Sequence, residues 1–358
     1  MTREDANGMS ASEDAGDELA ALLEDLLTES CTAESVETAE NGWSEELWAA
    51  LAELGLTAVG VDEDAGGSGG TLFDAAAVVR IGAAFAAPLP LGHTLITGPA
   101  ARRLFGLEHR DGPTAVGTTG AVRVRVDGDD VSIEGTVTDV PYGRFVQNLI
   151  LLGADDRSEY AVEIDARSVE WAHDVNLAGE PRDSAVVSVA VRVADAGRAP
   201  AGAIEGVRDA EALALSWAMV GALEKVRDLT VSYTSQREQF GRALSSFQAV
   251  KQLTAEIGGE VAVSAAAVSA ATSVFDDTAG FAVAAARSRC AAAVAPVSRH
   301  GQQLHGAIGY TREYPLHQYT RRLWAWRDEG LSEQEWLRIA GERALAAGPE
   351  KFWETIVG

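Results

Sequence analysis

The residue types best suited to chemistry gather in one segment, Arg237-Glu238-Gln239-Phe240-Gly241-Arg242, followed by Phe247-Gln248-Ala249-Val250-Lys251. Arg237 and Phe240 stand three residues apart, a spacing that lets a cation and an aromatic ring share a helix face. That pairing suits an anionic, ring-bearing ligand such as a nucleotide pyrophosphate. The competing expectation is a helix C-terminus, with Arg237 opposing the dipole and Phe240 in the core. Other familiar signals are weak or missing. The run Gly66–Gly70 (GGSGG) lacks dinucleotide-fingerprint spacing and a flanking βαβ unit, so it reads as a flexible turn. The sequence has no G-x-S-x-G elbow and no H-E-x-x-H pair. His300 and His305 are five apart, on different helix faces, which argues against a metal site.

The elements that must position this segment are helical. Leu213, Trp217, Val220, Leu223 and Val226 step by three or four, so a helix over Leu213–Tyr233 leads into it. Long helices continue to the C-terminus, with loops near Gly241 and Gly306. Between Ala115 and Val193 the texture is different: short β-branched runs separated by turn residues. Val122, Val124 and Val126 alternate with polar residues, and Asp127-Gly128-Asp129 supplies a hairpin turn. Upstream the pattern is helical again. Ser44 marks a helix start and Gly55 its stop, followed by helices over Thr71–Ala87 and Leu91–Phe105. Before about Glu40 we expect an acidic leading segment and one amphipathic helix containing Leu19–Leu27.

Composition bounds the function. The 358 residues include 29 Lys plus Arg against 54 Asp plus Glu, a formal net charge of −25. That sign argues against nucleic acid and anionic membranes as partners. With 47% hydrophobic and 23% charged residues, the chain should fold into an ordinary soluble protein. Cys31 and Cys290 are the only cysteines and form no knuckle or redox pair, which fits a reducing cytoplasm. The acidic N-terminus does not resemble a secretory leader. Val261–Phe275 and Phe281–Val297, the most apolar stretches, are too interrupted for the roughly 20 residues of a membrane span.

The run from Arg237 to Lys251 resembles the signature that opens the C-terminal helical domain of the acyl-CoA dehydrogenase family. A second segment, Gln303 to Pro315, is similar to the family's Q-x-x-G-G-x-G-[FY]-x-x-E-[YH] motif. The helical–β–helical order is also the family's. The resemblance implies an α+β fold: an N-terminal helical domain over 1–107 with its acidic leading segment, a shortened central β domain over 108–200, and a C-terminal four-helix bundle over 201–358. It implies that Arg237, Gln239 and Phe240 contact the FAD of a neighbouring subunit near its pyrophosphate and adenosine. Gln303, Gly306 and Ala307 would line the same groove, with Ala307 in place of the family's second Gly.

The reaction implied is α,β-desaturation of an acyl-CoA thioester, in which a carboxylate takes the α-proton and FAD receives hydride. Most of the family carries that carboxylate in a loop after the Gln-Gly segment. Counting from Gln303 reaches Gly330, with Glu329 one position away. A minority, including isovaleryl-CoA and long-chain members, carries it on the preceding helix, where this chain has Glu211. Glu211 is the leading candidate and Glu329 the alternative. The competing expectation puts Glu211 in the acidic first turn of a long helix, favouring the dipole. The family's T-E-P-x-x-G-S-D and W-[IV]-[ST] segments, which hold the flavin, are missing; Asp139 and Pro141 stand where the second would be. Such departures resemble the shorter subunits of actinobacterial α2β2 acyl-CoA dehydrogenases of steroid catabolism, where two different chains share one flavin site. The implied partners are an acyl-CoA, a second dehydrogenase subunit or further copies of this chain, and an electron-transfer acceptor. A self-sufficient homotetramer and a non-catalytic subunit completing a neighbour's FAD site are the rivals.

Overall fold

The computed structural model describes residues 19–275 and 280–357; the expected acidic leader before residue 19 lies outside them. Two helices, α1 (19–30) and α2 (Ala33–Thr38), occupy the stretch expected to hold one. Thr32 divides them because its hydroxyl accepts the Ser35 N–H and starts a new helix. Ser44 caps α3 (Glu45–Glu53) in the same way, and Gly55 follows at φ 72, a left-handed stop. α4 (Leu72–Ala84) opens with a reciprocal capping box between Thr71 and Asp74. The chain then turns through Pro88 and Pro90 and enters a π turn over His93–Thr97 before α5 (Gly98–Phe105).

Seven strands follow. β1 (Thr114–Gly117), β4 (Asn148–Ala154), β5 (Glu159–Asp165) and β7 (Gly197–Ala199) form one sheet in the order β1-β4-β5-β7. β2 (Gly120–Asp127), β3 (Asp130–Pro141) and β6 (Arg182–Arg192) form the second. Asp127 pairs with Asp130, which leaves Gly128 and Asp129 as the two-residue turn, Gly128 at φ 60. Register slips between Val137 and Val140, where Asp139 takes φ 56. The bulge bends the end of β3 and brings Pro141 and Tyr142 to the wall of an internal cavity. Arg102 of α5 pins the helix to the first sheet: its guanidinium grips Glu163 at 2.6 and 3.2 Å and reaches Thr114 Oγ1 at 3.1 Å.

The remainder is helical: α6 (Ala203–Gln236), α7 (Gln248–Ser273), α8 (Gly280–His305), α9 (Leu316–Arg327) and α10 (Glu333–Val357). α6 begins ten residues before the sequence pattern placed it, and α8 packs against α6, α7, α9 and α10. A continuous core joins α6–α10 to α1–α4. α4 and α6 approach closely because Gly221 has no side chain; a Cβ there would collide with the Arg80 carbonyl. Beside that contact Arg80 forks onto Glu224 at 3.0 and 3.1 Å. This packing fixes the gap in which the cavity lies. α7, with mean hydropathy 1.2, is long and apolar enough by composition to cross a membrane, where the sequence pattern suggested too many interruptions. One of its faces packs on α6 and α8, and only 22% of its most apolar window is buried.

Candidate active site

A cavity of about 340 Å³ opens between α4, the π turn, α6, the β1–β2 connection, the end of β3 and the α9–α10 loop. Its apolar lining mixes small residues, including Gly82, Ala83, Ala86, Ala212 and Ala218, with larger ones such as Leu91, Leu215 and Trp336. The rest of the lining is polar, and both carboxylates singled out in the sequence, Glu211 and Glu329, belong to it. Their surroundings differ.

Glu211 sits two turns into α6, so the first-turn expectation does not hold; its side chain is half-buried at 24% exposure. Its Oε1 accepts from Thr118 Oγ1 at 2.9 Å and lies 3.2 Å from His93 Nε2. The tautomer of His93 follows from its other nitrogen. Nδ1 accepts the Val116 backbone N–H at 3.1 Å, so it carries no proton and the ring proton resides on Nε2. His93 therefore faces Glu211 as a neutral imidazole, in a close polar contact rather than an aligned hydrogen bond. The Thr118 hydrogen bond and the His93 contact both fall on Oε1, and Oε2 has no partner among the described residues.

Glu329 is bound by charge instead. Its Oε1 accepts from Arg182 Nε at 2.9 Å and from Asn176 Nδ2 at 3.0 Å, and lies 2.6 Å from Arg182 Nη2. Arg182 also pairs with buried Glu180 at 3.2 Å, and Glu180 takes Arg322 Nε at 3.1 Å and the Trp326 indole N–H at 2.8 Å. Burial pushes the Glu180 carboxyl up, but Arg182 and Arg322 outweigh it and hold it below the usual carboxylate range. Burial and the nearby Glu180 together push the Tyr142 phenol well above its ordinary value. This network ties the α9–α10 loop to the start of β6. Gly330, the position reached by counting from Gln303, is exposed at φ 67.

Beneath both carboxylates lies Arg287, 1% exposed. Its Nη2 donates to the carbonyls of Trp326, Arg327 and Glu329 at 2.7, 3.1 and 3.3 Å, which closes the C-terminus of α9 with a cation. Burial pushes its pKa down.

The other motif lies at the far end of α6. The helix stops at Gln236, and β8 (Glu238–Gln239) pairs with β9 (Arg242–Ala243) in a small hairpin. Arg237 and Phe240 thus do not share a helix face, and Phe240 is not in the core: it sits at the hairpin tip at φ 54, 93% exposed. Arg237 and Gln239 are exposed with no side-chain partner among the described residues. Tyr233 stacks on His305 at 4.5 Å, which sets the hairpin and the 303–307 segment at the same end of the bundle. There Gln303, Gly306 and Ala307 are exposed, and nothing lies within 4 Å of where a Gly306 Cβ would be.

His93, Thr118, Glu180, Arg182, Arg287 and Arg322 were not singled out in the sequence. Only the structure gathers them, because they come from separate elements with no common spacing. Among the described residues no cluster of three or more His, Cys, Asp or Glu could hold a metal ion.

Comparison with known proteins decides the family. Residues 13–106 match the acyl-CoA dehydrogenase N-terminal domain, and residues 203–340 match its C-terminal domain. The chain belongs to the acyl-CoA dehydrogenase family. The acyl-CoA dehydrogenase IpdE2 of Mycobacterium tuberculosis is 29% identical over 287 residues, covering 79% of this chain and 81% of that protein. A crystal structure of the ChsE4–ChsE5 complex from Mycobacterium tuberculosis superimposes with TM-score 0.85 at 23% identity, over 94% of this chain and 98% of that one. The steroid ACAD Tcur3481–Tcur3483 gives 0.83, also at 23%, over 95% and 99%. These likenesses establish an oxidoreductase of acyl-CoA dehydrogenase fold: helices, central sheets, then helices. In this acyl-CoA dehydrogenase the two domain matches leave 107–202 between them, the stretch that carries the bulged β3 and the Glu180–Arg182 network.

Proposed function

We propose that this chain catalyses FAD-dependent α,β-dehydrogenation of a bulky or branched acyl-CoA, as one subunit of a heteromeric complex, with Glu211 as the base. The observation that carries this reading is the contrast between the two carboxylates in one cavity. Glu211 takes a hydroxyl hydrogen bond and a neutral imidazole contact on one oxygen and lines the cavity. Glu329 is engaged by the Arg182 guanidinium, which belongs to a structural network. A base needs an available lone pair within reach of the proton it takes. Both carboxylates keep an Oε2 without a partner among the described residues, but only Glu211 does so with no guanidinium on the same group.

The hairpin end fits the nucleotide half of FAD. Arg237 offers a guanidinium for the pyrophosphate, Phe240 a ring face, Gln239 and Gln303 polar side chains, and Gly306 and Ala307 a close backbone approach. When bound, FAD supplies the electron sink that accepts the β-hydrogen as hydride. Glu211 and Arg237 are 26 residues apart on one helix, about 39 Å at 1.5 Å per residue, beyond the reach of one dinucleotide. The hairpin therefore serves a cavity on another chain. Relatives described as a complex and as a steroid ACAD support a heteromer acting on a steroid-derived acyl-CoA. The apolar part of the cavity lining suits the hydrocarbon of such an acyl group. Arg208, exposed at the cavity wall with no partner among the described residues, is placed to meet a phosphate of CoA. We assign the three domains to 1–107, 108–200 and 201–358, and the working compartment to the cytoplasm, with an electron-transfer acceptor to reoxidise the flavin.

The second reading, a subunit that only completes a neighbour's flavin site, rests on the same exposed hairpin. Substitution separates the two. In the complex purified with its companion chain and supplied with a steroid side-chain acyl-CoA, Glu211→Gln should retain FAD and lose turnover by at least about a thousandfold. Glu329→Gln should lose far less turnover and chiefly weaken stability. Full activity in Glu211→Gln contradicts the catalytic assignment and favours the second reading.

A further inference from the structure

We propose that His93 is a positioning residue for Glu211: a neutral imidazole, locked in its Nε2–H form, whose contact with Oε1 adds to the Thr118 hydrogen bond there and so leaves Oε2 for the substrate. This rests on the assignment of Glu211 as base. Three features of the fold converge on it. His93 opens a π turn, the one irregular turn in the helical path between Pro90 and α5, and such turns re-aim the side chains they carry. The neighbouring Thr94 holds that turn to the sheet, accepting the Thr114 N–H at 3.1 Å and donating to its carbonyl at 3.4 Å. Then the Val116 N–H on β1 donates to His93 Nδ1 at 3.1 Å, which fixes both the ring's orientation and its tautomer. Two residues further along, just past the end of the same strand, the Thr118 hydroxyl donates to Oε1 at 2.9 Å. This strand and the residue after it thus orient both groups beside the carboxylate.

The geometry has a chemical consequence. A carboxylate on a flexible side chain rotates, and either oxygen can face the cavity. With the Thr118 hydrogen bond and the His93 Nε2–H contact both on Oε1, the proton-accepting oxygen is chosen before substrate arrives. His93 cannot itself take the α-proton, because Nδ1 is occupied by the backbone N–H and Nε2 already bears a hydrogen. Its contribution acts through Glu211. A purely structural histidine, 8% exposed, would fill the same space without requiring that tautomer.

The test needs two readouts. First, the full chain labelled with ¹⁵N-histidine requires neither cofactor nor substrate. The long-range ¹H–¹⁵N spectrum at neutral pH should show, among the histidine signals, an Nε2–H imidazole that vanishes in His93→Gln and shifts in Glu211→Gln. Second, in the assembled flavoenzyme with the steroid side-chain acyl-CoA as probe, His93→Leu should lower kcat at least about tenfold, with KM changed less than about threefold. His93→Gln, which keeps an N–H donor at similar reach, should recover most of that loss. An Nδ1–H tautomer, or an unchanged kcat in His93→Leu, overturns the proposal. So does an equal loss in the Leu and Gln variants with intact fold, which would assign His93 to packing. Failure of the base assignment shows separately, as turnover surviving in Glu211→Gln, and it removes the positioning role as well.

Discussion

At the residue scale, the same helix carries two carboxylates with opposite duties. Asp209 precedes Glu211 by two positions and faces Arg343 of α10 at 3.3 Å. Burial pushes its carboxyl up to about 6, more than Arg343 lowers it. Its folded value lies above the unfolded one near 3.8, so between those limits the folded chain binds more protons than the unfolded chain. Stability from this group is present below about pH 4 and is lost as pH rises to about 6. Asp209→Asn removes that titration. Thermal melting followed across pH 4 to 6.5 should then fall less steeply with pH in the variant than in the parent chain; parallel curves would contradict the role. The sequence made Glu211 and Glu329 legible as candidates, but not the choice between them. That choice depends on His93, Thr118 and Arg182, each contributed by a different element. Glu180 and Arg182 flank a proline in a loop, a context without periodicity, so nothing marked them as the anchors of a buried network.

At the element scale, the long helices were the most legible part, since a repeat of three and four survives in α6 regardless of what packs against it. Their ends were less so. α6 gains ten residues at its start because Ala203, Val207 and Ala210 pack there, a run too short and alanine-rich to stand out. The segment after Gln236 was read with helical spacing, yet Gly241 at φ 77 and Phe240 at φ 54 turn it into a hairpin. Glycine content likewise has two meanings that only packing separates. Gly221 meets the Arg80 backbone, whereas a Cβ at Gly258 of α7 has open space. Gly221→Ala should therefore destabilise the chain by about 1–3 kcal/mol through a backbone clash. Gly258→Ala should stabilise it by about 0.5–1 kcal/mol. Chemical denaturation of the two variants checks both signs, and the same sign for both would contradict the packing of α4 on α6.

For the whole molecule, the order of helices, sheets and helices was visible in the change of texture along the chain, and the resemblance to acyl-CoA dehydrogenases agreed with it. The division of labour between chains was visible only in part. The sequence joined Arg237 to Phe240, and the structure puts them at one end of α6, exposed and about 39 Å from Glu211. On the proposed reading, two sites so far apart on one helix serve two different cofactor sites. The half-bare α7 gives the same impression of a surface made to be covered. The measurement that bears most directly on this account is the flavin content of the assembled complex carrying Arg237→Ala and Phe240→Ala together. Visible absorbance with native mass spectrometry should show FAD lost or substoichiometric, although each chain remains folded. A complex that stays yellow with a full complement of FAD would contradict the shared site.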